Sequence, residues 1–363
     1  MKLSTYVVAS AAAGATHASV VKRAIDDATI LNYALTLEHL EATFYATGLK
    51  NFTQADFVNA GYADPFYANL QKVASDEAEH VTFLTTALQG AGAPATAACT
   101  YAFPVTDVNT FIATANILEG VGVSAYLGAA ASIANKDYLT AAGSILTVEA
   151  RHSSYLRAVA GEVPFAQPFD DPLDFNEVYT LASGFILSCP SSNPSLPVSA
   201  FPSLTVTSSG TISNGSTINL ATSSTAKLPT TVYAAFVTVT GPVWATVTAS
   251  SGGYTVTIPS GISGQSYLVL TSSNNTVSDD NIVAGPAIVE IGAKNGRLST
   301  GCSGSSSSSS SSIPTPSSTP AGTGVMPSRT SSVSPQFTGG ASFLQISVSL
   351  VGAAAAATVM LLA

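Results

Sequence analysis

A chain of 363 residues, 46% of them hydrophobic, is long enough for two folded domains with tails. Only 9% of residues are charged, the formal charge is −9, and no basic cluster is present, which argues against nucleic acid as a partner. Met1-Lys2-Leu3, the apolar run Tyr6 to Ala13 and the small residues up to Ala18 have the charged, apolar and cleavage regions of a secretory signal. Lys22-Arg23 then reads as a dibasic processing site. Removal of residues 1–23 is expected to leave Ala24 as the first residue and nine basic against 21 acidic side chains.

Residues 24–190 read as helical. The first helix is expected from Asp26, a good cap, to Thr47, with Gly48 as its stop. A short helical segment should follow Thr53. The second long helix begins at Asp64-Pro65, with Asp as cap and Pro in the first turn, and runs to about Leu88 before Gly90. Ala91 to Val105, which contains Cys99, is long for a hairpin loop and suits a crossover connection. Thr106 or Asp107 caps a third helix through Glu119 to about Ile133, and a fourth runs from Asn135 to about Ala160. After the Pro-rich run Pro164 to Pro172, Asp174 caps a fifth helix to about Leu187, and Ser188-Cys189-Pro190 ends the domain.

Over residues 195–298 the period changes from helical to alternating. Thr231 to Val239, Gly253 to Ile258 and Tyr267 to Leu270 are β-branched and aromatic, separated by Gly, Ser, Asn and Pro turns. About seven such strands predict a small β-sandwich of immunoglobulin-like kind, a spacer or binding module without a catalytic constellation. Residues 299–340 are rich in Ser, Thr and Pro and cannot form a core, so they read as an extended, O-glycosylated stalk. Asn51, Asn214 and Asn274 stand in N-glycan acceptor patterns. Small residues Gly339-Gly340-Ala341 precede the uncharged apolar run Phe343 to Ala363, so residues 341–363 read as a glycolipid-anchor signal, with a retained membrane span as the alternative. Cys99, in the crossover, and Cys189, just after the fifth helix, are expected to pair, leaving Cys302; Cys189 with Cys302 is the rival pairing.

The chemistry is concentrated in the helices. Asp76-Glu77-Ala78-Glu79-His80 recurs in altered form as Val148-Glu149-Ala150-Arg151-His152, and both copies contain Glu-x-x-His. Residues at i and i+3 share a helix face, so Glu77 stands beside His80 and Glu149 beside His152, each pair on an otherwise apolar stripe. Glu38 and Glu119 lie on similar stripes, each followed seven positions later by a tyrosine, Tyr45 and Tyr126. Charged groups on a core stripe are costly unless paired or ligating. The order Glu, Glu-x-x-His, Glu, Glu-x-x-His, one unit per helix, is the ligand set of a carboxylate-bridged two-metal site in a four-helix bundle.

Across residues 26 to 188 the chain therefore resembles the ferritin-like superfamily. Leu35-Thr36-Leu37-Glu38-His39-Leu40-Glu41-Ala42-Thr43-Phe44-Tyr45 and Asn176-Glu177-Val178-Tyr179-Thr180-Leu181-Ala182 look like secreted ferritin-like stress-response proteins of filamentous fungi. The fold expected is α+β and multidomain: a ferritin-like four-helix bundle with a fifth helix, a small β-sandwich, a Ser-rich stalk and a hydrophobic tail. The resemblance implies two Fe or Mn ions, with Glu38 and Glu119 as terminal ligands, Glu77 and Glu149 as bridges, and His80 and His152 on one metal each. These six residues would carry any catalysis, on Fe(II), peroxide or dioxygen. Tyr45 and Tyr126 are expected to hydrogen-bond ligating carboxylates or simply to pack.

Glu41 falls near the same face, where many relatives carry an apolar residue, and reads as a solvated residue at the rim, with an extra ligand as the alternative. His39, Asp76, Glu79 and Arg151 lie off the stripe, Arg151 facing one of the acids on the outside. Gly120 and Gly122 flank Glu119 and cost about 1 kcal/mol each relative to Ala in a helix; they read as allowing close approach of the first helix, or as room for a small oxidant. The expected setting is the cell surface, with a lipid anchor on the membrane and cell-wall contacts. The competing reading is a non-enzymatic surface protein whose bundle uses no metal.

Overall fold

The structure, a computed structural model, describes residues 25–292. The segments expected as signal and processing site, stalk and anchor signal, and Cys302, lie outside the described residues. Six α-helices come first: α1 (Asp27–Asn51), α2 (Gln54–Asn59), α3 (Phe66–Gly90), α4 (Val108–Ala129), α5 (Lys136–Val159) and α6 (Phe175–Ser183). Helix α1 packs on α3 and α4 on α5, and α1 meets α4 between the two hairpins, giving the four-helix bundle. Local chemistry sets most of the starts. Asp26 accepts from the Thr29 amide at 2.8 Å, Asp107 and Thr110 cap each other reciprocally at the start of α4, and Asp174 and Glu177 do the same for α6.

Three boundaries differ from the sequence reading. Helix α1 passes through Gly48 and ends at Asn51. Gly48 is inside the helix because the Phe111 ring of α4 lies 2.0 Å from where its Cβ would stand. This glycine serves close packing, not termination. Pro65 occupies the cap position of α3, which begins at Phe66, and no side chain caps that end. Helix α6 stops at Ser183, and Ile186–Ser188 form instead a strand, β2, antiparallel to β1 (Thr100–Tyr101) of the crossover. Cys99 and Cys189 are disulfide-bonded beside this pair, across a sequence separation of 90, so the crossover is pinned to the end of the helical domain.

Seven strands follow: β3 (Leu204–Val206), β4 (Thr217–Thr222), β5 (Tyr233–Val237), β6 (Val243–Ser250), β7 (Gly253–Thr257), β8 (Gly264–Thr271) and β9 (Ile282–Ile291). They run in the order β3-β4-β7-β6-β5-β8-β9, each ladder antiparallel. The order is continuous through β6, where an immunoglobulin domain would break into two sheets. Both ends of the sheet still share one core, in which Ile218, Leu220 and Val256 meet Phe236, Leu268 and Val289.

This β domain is docked on the bundle. Tyr267 of β8 is buried in the helical core, donates from its hydroxyl to the Gly120 carbonyl at 2.9 Å and accepts from Ser124 Oγ at 2.8 Å. Gln265 Nε2 donates to the Ile117 carbonyl at 3.2 Å, and a Cβ on Gly120 would lie within 2.6 Å of the Gln265 amide. Gly120 thus admits β8, an element outside the bundle. The Arg157 guanidinium of α5 forms two parallel hydrogen bonds, 2.9 and 2.8 Å, with Glu290 of β9.

Candidate metal centre

The six sequence-derived candidates converge in the middle of the bundle. Glu38 comes from α1, Glu77 and His80 from α3, Glu119 from α4, and Glu149 and His152 from α5. The four carboxylates are fully buried and the two imidazoles nearly so. Two overlapping sets of potential ligand atoms result, Glu38-Glu77-His80-Glu149 and Glu77-Glu119-Glu149-His152, each within 4.8 Å of one another. Glu77 and Glu149 belong to both. They are the residues that can bridge two cations, while Glu38 and His80 serve one side and Glu119 and His152 the other.

Distances support that division. His80 Nδ1 lies 3.2 Å from Glu38, 3.3 Å from Glu77 and 3.0 Å from Glu149. His152 Nδ1 lies 3.0 Å from Glu77 and 3.4 Å from Glu119. The tyrosines cross between helices: Tyr45 of α1 donates to Glu119 of α4, and Tyr126 of α4 donates to Glu38 of α1. Each phenol occupies one oxygen of a carboxylate and leaves the other facing the cluster.

Burial and mutual repulsion dominate the electrostatics. Burial, opposed by the His80 imidazole beside it, pushes Glu38 up to about 7. Glu149 is raised well above the carboxylate range by burial and then by the charges of Glu77 and Glu119. Burial and Glu77 also raise Glu119. Burial acts to raise Glu77, but the His152 and His80 imidazoles beside it outweigh that and lower it. Burial opposes the charge of His80, yet Glu149, Glu38 and Glu77 raise it to about 12; His152, also opposed by burial, is raised to about 10 by Glu119 and Glu77.

The fit to metal can be tested on unsatisfied atoms. Glu38 Oε2, Glu77 Oε1, Glu119 Oε2, both oxygens of Glu149 and His152 Nδ1 are buried without a well-aligned hydrogen bond, although imidazole nitrogens lie 3.0 to 3.4 Å from four of these oxygens. Native interiors leave few such atoms, and a cluster of them on one point is costly unless a cation binds there. Hard carboxylate oxygens with two imidazoles form the donor set of Fe or Mn. The residues present are suited to hold metal ions.

Two further residues belong to the site. Glu41, read as a rim residue, is only 4% exposed. A Cβ on Gly122 would lie 3.0 Å from Glu41 Oε1 and 3.4 Å from Glu149 Oε2, so the absent side chain of Gly122 is what admits the Glu41 carboxylate beside the cluster. Asp76, read as an outside acid, pairs with Lys72 and places Oδ2 3.4 Å from His152 Nε2, the ring nitrogen turned away from the cluster. A carboxylate behind a ligating imidazole fixes its ring and raises its basicity. Directly preceding Glu77, Asp76 was hidden by its rotation of about 100° along the helix. His39 is half-buried, its Nε2 3.0 Å from the Thr96 carbonyl and away from the cluster.

A bundle of two helical hairpins enclosing such a set is ferritin-like. Residues 26–162 match the model of the ferritin-like domain family, and this part of the chain is a ferritin-like domain. Over 169 residues the chain is 30% identical to Protein rds1 of Schizosaccharomyces pombe, a match covering 46% of this chain and 40% of that protein. It thus spans less than half the length of that curated relative.

Proposed function

We propose that the protein is a secreted, cell-surface di-metal carboxylate protein whose centre reacts with Fe(II), peroxide or dioxygen in a stress response. The observation that carries this reading is the pair of ligand sets sharing Glu77 and Glu149, with their buried, unsatisfied oxygens turned on one point. Two Fe or Mn ions held there supply adjacent redox centres with which a small oxidant can react. The chain's own contribution is positional and protective. Tyr45 and Tyr126 fix Glu119 and Glu38, Asp76 backs His152, and complete burial of the carboxylates excludes bulk water. An extracellular setting is supported by the signal-like N-terminal pattern and by the Cys99–Cys189 disulfide, a bond typical of oxidising compartments.

Of the three glycan patterns, Asn51 and Asn274 are exposed, whereas the Asn214 amide donates to the Pro259 and Ile262 carbonyls at 2.7 and 3.0 Å and is poorly placed to accept a sugar. The stalk and lipid anchor belong to the same proposal, and release from membranes by a phospholipase that cuts glycolipid anchors checks them.

The direct test of the centre is metal analysis of reconstituted protein beside a Glu77→Ala, Glu149→Ala double variant, followed by anaerobic Fe(II) titration and exposure to oxygen. About two ions per native chain and near none in the variant are expected. Less than about one ion per native chain would favour the surface-protein reading in which the bundle uses no metal.

A further inference from the structure

A cavity of about 250 Å³ lies against the cluster, between α1, α4, α6 and β9. Its walls include Leu37 of α1, Val121 of α4, Ala182 of α6 and Ile288 of β9, and every lining side chain is apolar except one. The exception is Glu41. This carboxylate is 4% exposed and makes no hydrogen bond with any described residue. Its oxygen and that of Glu149 flank the same Gly122, so the polar end of the cavity faces the centre and the apolar end faces the β domain.

These features select an occupant. Apolar concave sites favour apolar molecules of matching size. A volume below the roughly 300 to 1,000 Å³ of drug-sized sites calls for a small one. The Glu41 oxygens are not closed off like those of the cluster but line the cavity, so a ligand there can supply a hydrogen bond that no described residue makes to them. A hydroxyl suits it best, since a hydroxyl both donates and accepts and thus pairs with the carboxyl in either protonation state. A strongly polar molecule would leave its remaining groups unpaired among the hydrocarbon walls.

We propose that this cavity binds a small apolar molecule ending in one hydroxyl, an alkylphenol or comparable alcohol, with the hydroxyl on Glu41 and the hydrocarbon between α1, α4 and α6. The site needs no metal for this. It is therefore tested by calorimetric titration of the full protein, both as purified and after chelation, with 4-propylphenol and with propylbenzene as the analogue lacking the hydroxyl. The phenol is expected to bind about tenfold more tightly than propylbenzene, the fold-change of one net hydrogen bond. Glu41→Gln, which keeps a hydrogen-bonding end, should retain the phenol preference, and Glu41→Leu should abolish it.

Ala182→Phe, filling the cavity from α6, should weaken both ligands; Val121→Phe, filling it from α4, serves if the first variant does not fold, as judged by thermal melting. Equal affinity of the native protein for the two ligands, a preference that survives Glu41→Leu, or binding undisturbed by a folded cavity-filling variant would each overturn the proposal. Phenol binding with no metal uptake would sink only the metal reading, and metal uptake without phenol binding only this one.

Discussion

Protons and metal compete for the same atoms at the centre. His80, raised to about 12, and His152, raised to about 10, hold protons throughout the physiological range in the metal-free protein, as does Glu38 below about 7. A ligating imidazole must be neutral and a ligating carboxylate ionised, so cation binding has to expel these protons. The sign follows directly: affinity rises with pH, by about tenfold per pH unit for each proton released per ion. Chelator-competition titrations between about pH 6 and 8 are expected to show that slope, and a flat profile would mean that the raised groups are not the ligands. The six ligand candidates were legible because they sit at helical period on apolar stripes. Glu41 was not, because three residues after Glu38 it falls between stripe and rim, and its burial is decided by Gly122 on a different helix. No local pattern carries that pairing.

At the scale of elements, caps and periods located the helices well, since a cap is a bond between neighbours in sequence. Misplaced boundaries had partners far away: Phe111 against Gly48, and β1 against the residues that follow α6. The α6 cap is itself unusual. Glu177, which accepts the Asp174 amide at 2.8 Å, is raised to about 8, first by burial and then by the charge of Asp174; Asp279 also faces it. Folded Glu177 therefore keeps a proton that the unfolded chain gives up near its ordinary value of 4.5. Below that value its contribution to stability is fully present, and it is lost as pH rises towards 8. Glu177→Gln keeps the acceptor of the cap and removes the titration. Urea denaturation at about pH 5 and 7 should show a native loss larger than the variant's by on the order of 2 kcal/mol; parallel losses would place the pH dependence elsewhere.

Among the described residues the largest arrangement is the β domain's hold on the bundle, where the sequence suggests a separate spacer or binding module. One signal of the docking was present: Tyr267-Leu268-Val269-Leu270 is a continuous apolar run where a strand with one wet face would alternate, and β8 is indeed covered on both faces. Which surface covers it was not legible, because Arg157 and Glu290 lie 133 residues apart and Gly120 with Tyr267 147. Arg157 is 7% exposed, and without Glu290 its partners among the described residues include the Val163 carbonyl at 2.9 Å and the more distant Glu162 at 3.5 Å. Stranding a buried guanidinium costs more than the pair itself is worth, so Glu290→Ala should destabilise by about 2 kcal/mol, less than a fully buried pair because the Glu290 side chain is partly exposed. Arg157→Met with Glu290→Leu should cost less than the two single changes summed, since no charge is left behind.

Coupling of the two halves can be read separately, because the single Trp of the chain, Trp244, lies in β6 and reports on the β domain, while far-ultraviolet circular dichroism reports on the helices. In the native protein the two signals should change together on urea titration. In Glu290→Ala combined with Tyr267→Ala, which removes both the ion pair and the phenol buried between Gly120 and Ser124, the fluorescence transition is expected to move to lower urea than the helical one. If the two transitions still coincide, the β domain is held by the apolar contacts around these residues and not by the polar ones.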